Sequence, residues 1–122
     1  MINRIEITAI NVELGTDIKK YIQRKIGRLD RYIPKKARQS VHAEVKIWET
    51  NAKSNDKYEC EVILHLPEQQ LLAKESTLNM FAAVDIVESK MKTQLHKYKE
   101  QHEMQHIGRL SLLSRLRRLS EK

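Results

Sequence analysis

Two hydrophobic periodicities alternate along this chain, and their order leaves few folds open to it. Residues 2–9 read apolar–polar, with Ile5, Ile7 and Ala9 on one side and Arg4, Glu6 and Thr8 on the other. That is the period of a half-buried strand. Thr16 followed by Asp17 resembles an N-cap and an acidic first helical turn. From there Ile18, Ile22, Ile26, Leu29 and Ile33 recur at three or four residues, which predicts an amphipathic helix closed by Pro34. Gly27 weakens that helix by about 1 kcal/mol relative to Ala. Period two returns at residues 40–49, where Val41, Ala43, Val45 and Ile47 face inward. After the polar stretch TNAKSNDK it returns again at Tyr58, Cys60, Val62, Leu64 and Leu66. Residues 70–75 read as a short fourth strand. Asn79 then stands where it would cap a last helix with the stripe Met80, Val84, Val87, Met91, Leu95 and Tyr98.

The order β-α-β-β-β-α predicts an α+β domain: a four-stranded mixed sheet with two helices packed on one face. A right-handed crossover makes the first two strands parallel. This domain is expected over residues 1–102. Residues 103–122 form a basic Leu/Arg-rich C-terminal tail, in which Leu110, Leu112, Leu113, Leu116 and Leu119 mix with Arg109, Arg115, Arg117, Arg118 and Lys122. Two helices already cover one sheet face, so the tail reads as an appendage, helical when bound. Contact with RNA, contact with a neighbouring protein, self-association and a bland flexible end all stay open for it.

Charge indicates the partner. The net charge is +7, with 23 Lys and Arg against 16 acids, a balance that favours a polyanion. Residues 19–38 hold nine basic residues and one acid, Asp30. Lys20, Arg24, Arg28 and Arg31 follow at four, four and three residues and would share one ridge of the first helix. On the last helix, Lys90 and Lys97 are seven apart, as are Lys92 and Lys99. The outward positions of the middle strands are His42, Glu44, Lys46 and Trp48, then Glu59, Glu61, Ile63 and His65, a mildly acidic set. Like charges four apart on a helix repel, and a ridge without compensating acids points to phosphates as the missing partner. The reading is a binder of structured nucleic-acid backbone, dominated by phosphate contacts and sensitive to salt. Its RNA-binding residues are Lys20, Arg24, Lys25, Arg28, Arg31, Lys90, Lys92, Lys97 and Lys99. Trp48 could stack on a base, but covering the sheet is the favoured role.

Two segments carry a family resemblance. IEITAINVELGTDIKKYIQRKIGRLDRY resembles the opening of the ribosome hibernation promoting factors, including ribosome-associated inhibitor A. LLAKESTLNMFAAVDIVESKMKTQLHKYK resembles their last strand and helix, with Ala82, Ala83, Asp85, Lys90, Gln94, Leu95, Lys97 and Lys99 matching the family pattern. The chain departs from that pattern at Asn79 (Asp), Phe81 (Tyr), Thr93 (a basic residue) and Ala9 (Gly). The resemblance is to a short-type member with an atypical tail. It implies a ribosome-associated translation inhibitor that binds small-subunit ribosomal RNA near the decoding region. By steric exclusion it would block transfer RNA and messenger, with no reaction on a substrate. A double-stranded RNA binding module is the alternative.

Enzyme chemistry finds little support. HEMQH, residues 102–106, matches the zincin motif, and His102 and His106 at i, i+4 could share a metal. A catalytic zinc needs a third protein ligand. Downstream only Glu121 is available, and Arg109 and Leu112 occupy the Gly and His positions of the extended motif. A small zinc metallohydrolase is therefore disfavoured, and no catalytic residue, cofactor or metal site is assigned. Cys60, the only cysteine, reads as core. No apolar run approaches the length of a membrane span and the N-terminus lacks a signal core, so a reducing, cytoplasmic setting is expected, without membrane or small-molecule partners. The oligomeric state stays open.

Overall fold

The structure is a computed structural model that describes residues 1–50 and 57–120, with side chains described up to residue 101. The elements run β1 (Arg4–Ile10), α1 (Thr16–Gly27), a 3₁₀ turn (Arg28–Tyr32), a second short 3₁₀ turn (Arg38–Ser40), β2 (His42–Glu49), β3 (Tyr58–His65), β4 (Gln70–Thr77) and α2 (Met80–Ser120). The sheet order is β1-β2-β3-β4. β1 pairs parallel to β2, and the other two pairings are antiparallel. This is the expected α+β arrangement.

One core lies between the helices and the sheet. Ala43, Val45 and Ile47 of β2 and Cys60, Val62 and Leu64 of β3 are buried. They meet Ile18, Ile22 and Ile26 of α1 and Ala83, Val84, Val87, Met91 and Leu95 of α2. Alternation on the strands puts the next residues, His42 to Trp48 and Glu59 to His65, on the open face, where they are half-buried. At edge strand β1 the expectation fails in part. Ile5 and Ile7 are half-buried as the pattern requires, but Ala9 is exposed. An edge strand has a neighbour on one side only, and a methyl group there is too short to reach cover.

The first helix differs from its sequence reading at both ends. Its N-cap is Gly15, whose carbonyl accepts the Lys19 N–H at 3.3 Å, and no side chain caps it. Thr16 is instead the first helical residue. The α-helix stops at Gly27 and tightens into the 3₁₀ turn, at the point where the N-terminus docks on the Gly27 carbonyl. Three residues per turn is the 3₁₀ period, so Leu29 stays buried. Ile33 is already extended (φ −107°, ψ 133°), as a residue before Pro must be.

Gly27 lies beside the N-terminus: its carbonyl accepts the Ile2 N–H at 3.0 Å, and the Met1 ammonium pairs with Asp30 at 2.8 Å. A Cβ at Gly27 would meet the Met1 methyl at 2.7 Å. Met1 is largely exposed and its thioether end is free to swing away. Gly27→Ala should therefore raise stability, by up to about 1 kcal/mol, measured by urea denaturation.

The last strand runs to Thr77, two residues beyond its expected end. Asn79 caps α2 as its sequence position suggests, its Oδ1 accepting the N–H groups of Phe81 (2.8 Å) and Ala82 (3.4 Å). The helix runs without interruption to Ser120, through the point where the sequence divides domain from tail. Leu, Arg, Glu and Gln are strong helix formers, and the only breaker beyond residue 102 is Gly108. The side chains of His102, His106 and the Leu/Arg residues lie outside the described set. Among the described residues, no helix is long and apolar enough to cross a membrane.

Cys60 is 1% exposed, and burial pushes its thiol up from an ordinary value of 9.0 to about 12. It should resist thiol reagents at pH 8 until the chain unfolds. Because the thiolate is easier to form in the unfolded chain, stability should be full below pH 9 and decline as pH rises toward 12.

Candidate nucleic-acid interface

Lys20, Arg24, Arg28 and Arg31 do not share the single ridge of the first helix that their spacing suggests. Lys20 and Arg24 are exposed on α1, but Arg28 and Arg31 belong to the 3₁₀ turn, which redirects them toward α2. There Lys25, Arg28, Arg31 and Lys92 line a cleft of about 140 Å³ with Leu29, Tyr32 and Glu88. Two of its cations lie near aromatic rings. The Lys92 ammonium is 5.1 Å from the centre of the Tyr32 ring, and the Lys25 ammonium is 5.5 Å from that of Tyr21. Arg24 also lies over Tyr21, at 5.3 Å. These contacts orient long side chains while leaving their outer N–H groups available.

Of the acids nearby, Glu88 lines the cleft itself, and Asp30 and Asp85 are engaged. Asp30 holds the Met1 ammonium. Asp85 accepts a hydrogen bond from the Tyr21 hydroxyl and pairs with Lys25 at 3.5 Å. The Asp85 carboxylate beside it keeps the Tyr21 hydroxyl protonated above its usual range. Sequence reasoning missed Tyr21 and Tyr32 as supports for the cations. Their spacing from the basic residues was the available signal, but which ring meets which cation depends on how the two helices pack.

On α2 the four lysines divide. Seven residues are close to two full turns, so Lys92 and Lys99 share the side facing the 3₁₀ turn, and Lys90 and Lys97 share another. Lys90 is drawn to the edge of the sheet, where its ammonium meets Glu75 at 2.6 Å and the Lys74 carbonyl at 3.1 Å. The hydrogen bond from Lys90 holds the Glu75 carboxyl below its usual range. Gln94 donates to the Leu72 carbonyl at 2.7 Å, fastening the same side of α2 to β4. The cleft therefore gathers Lys25, Arg28, Arg31 and Lys92, while Lys90 stands apart from it.

The open sheet face is different in kind. Lys74 pairs with Glu59 at 2.8 Å and lies 5.2 Å from the centre of the Trp48 ring, so Trp48 is covered by a cation. Lys46 stands opposite Glu61 in register.

A profile of the Sigma 54 modulation protein / S30EA ribosomal protein family matches residues 5–103. The chain belongs to this family. A ribosome hibernation promotion factor from Staphylococcus aureus (strain COL) is 32% identical over 96 residues, 79% of this chain and 48% of the relative. The chain thus spans about half the length of that curated relative. Two solved structures share the fold of this S30EA family chain. The Protein Y N-terminal domain from Thermus thermophilus is 24% identical with a TM-score of 0.66, covering 78% of this chain and 98% of that one. A ribosomal subunit interface protein from Coxiella burnetii is 22% identical with a TM-score of 0.65, covering 80% and 98%. The Sigma 54 modulation protein / S30EA match begins in β1 and ends in α2, so all four strands and the α1–α2 cleft lie within it.

Proposed function

We propose that this chain associates with the ribosome and inhibits translation by binding small-subunit ribosomal RNA near the decoding region. Arg24, Lys25, Arg28, Arg31, Lys92 and Lys99 hold RNA phosphates in this reading, Lys20 extends the surface along α1, and Lys97 and Lys90 flank it. Inhibition is steric: the bound domain occupies space that transfer RNA and messenger need, and no bond is made or broken. The observation that carries the proposal is the cleft in which Lys25, Arg28, Arg31 and Lys92 converge from two elements. Four cations so close repel one another, and a phosphate backbone relieves that repulsion by displacing counterions. Family membership and the names of the S. aureus and C. burnetii relatives direct the reading to the ribosome.

Sedimentation of the purified chain with ribosomes through sucrose, at several salt concentrations, tests it. Neutralising about six phosphates gives a log–log salt slope between about −4.2 and −5.4. Stoichiometric co-migration at moderate salt is the expected result. Failure to co-migrate at low salt, or equally tight binding to a free RNA duplex, would replace this reading with the double-stranded RNA module.

A further inference from the structure

On the sheet face turned away from the cationic cleft, three metal-ligating side chains meet. His42 and Glu44 are two residues apart on β2, so the pleat sends both to the open face. His65 of β3 stands directly across from His42. The two imidazoles stack, with ring centres 4.2 Å apart and planes at 10°. One ligand atom from each of His42, Glu44 and His65 lies within 4.8 Å of the others. His65 Nε2 is shielded from solvent without a hydrogen-bond partner. Glu44 Oε1 is 3.4 Å from it without making a hydrogen bond. An unsatisfied buried nitrogen is costly, and a cation between the three groups would satisfy it.

We propose that His42, Glu44 and His65 form a binding site for a divalent transition-metal ion, with zinc as the ion that best suits them. Two imidazoles and a carboxylate are a donor set that zinc accepts, leaving a fourth tetrahedral position for water. With metal–ligand bonds of about 2.0–2.1 Å, tetrahedral ligand atoms stand roughly 3.3 Å apart. The site therefore closes by turning the stacked rings about their soft Cβ–Cγ bonds. A fourth side chain is already placed to support this. Gln70 of β4 has its amide nitrogen 3.0 Å from His65 Nδ1. With the amide turned over, its oxygen accepts Nδ1–H and fixes the tautomer that leaves the Nε2 lone pair for the metal. On β1, Arg4 stands beside His42 and Glu6 beside Glu44. These two pair with each other at 3.0 Å, so they add no net charge and Glu44 supplies the negative charge a cation needs. The site shares no residue with the phosphate-binding cleft and does not depend on the ribosome reading.

The test must separate this site from His102 and His106, so it uses the full chain carrying His102→Gln and His106→Gln, stripped of metal with a chelator. Titration with zinc chloride by calorimetry should give one ion per chain. Adding His42→Gln, Glu44→Gln or His65→Gln should each weaken binding tenfold or more, and Gln70→Ala should weaken it by about tenfold. Metal-free melting curves followed by circular dichroism show that each variant is folded. Zinc should raise the melting temperature of the parent and leave that of the His65→Gln variant unmoved. No binding in the parent, or binding unchanged by both His42→Gln and His65→Gln, would overturn the proposal.

Discussion

Exchanging Arg28 and Lys92 together for Glu should weaken ribosome binding by about a hundredfold or more while the fold survives. A hydrogen bond to a charged group is worth about 1.5–3 kcal/mol, so two lost phosphate contacts give at least that factor before the new repulsion is counted. Both residues line the cleft, one from the 3₁₀ turn and one from α2, so the double variant removes the convergence itself. Surface substitutions of this kind change stability by about 0.5 kcal/mol or less. The salt slope should become shallower by about two, one for each phosphate contact removed. Lys74→Gln removes a charge from the open sheet face and should change affinity by less than about threefold, because its site is remote from the phosphates. Co-sedimentation across a salt series reads all three variables. Binding by the double variant equal to that of the parent would place the RNA surface elsewhere on the chain.

The largest loss of stability should come from Ile22→Ala, at about 2–5 kcal/mol. Ile22 is fully buried in the middle of α1, in the core shared with α2 and the sheet. Removing its outer carbons forfeits their transfer energy and leaves a cavity that a rigid sheet and a capped helix close only in part. Domains of this size are stable by about 5–15 kcal/mol, so the variant should unfold at a clearly lower urea concentration with an unchanged m-value. Lys20→Ala, two residues away on the exposed side, should stay within about 0.5 kcal/mol of the parent. A loss below about 1 kcal/mol at Ile22 would mean that α1 is not docked on the sheet as described.

Much of the molecule was legible in the sequence because burial on one face writes itself into periodicity. The spacing of Val41, Ala43, Val45 and Ile47, and of Cys60, Val62 and Leu64, fixed which side of the middle strands is buried, and the structure places each of these residues in the core. Asn79 as a cap was legible too, since capping joins groups only two or three residues apart. The ends of α1 were not. Whether the chain continues as an α-helix past Gly27 depends on what Leu29 can reach, and on the N-terminus docking at the carbonyl of Gly27. Neither is a local property of residues 16–33.

The same division holds for the two candidate sites. The sequence by itself determined the element order, the buried faces and the concentration of positive charge in residues 19–38, because each depends on residues near one another along the chain. Only the tertiary structure decided which cations converge. It bent Arg28 and Arg31 toward Lys92 and drew Lys90 to Glu75, a separation invisible to a count of lysines seven residues apart. It also set His42 across from His65, which are 23 positions apart in sequence. Strand register decides that meeting, and register follows from the buried side of the sheet: the alternation that hides Ala43 and Leu64 in the core puts the two histidines together on the opposite face.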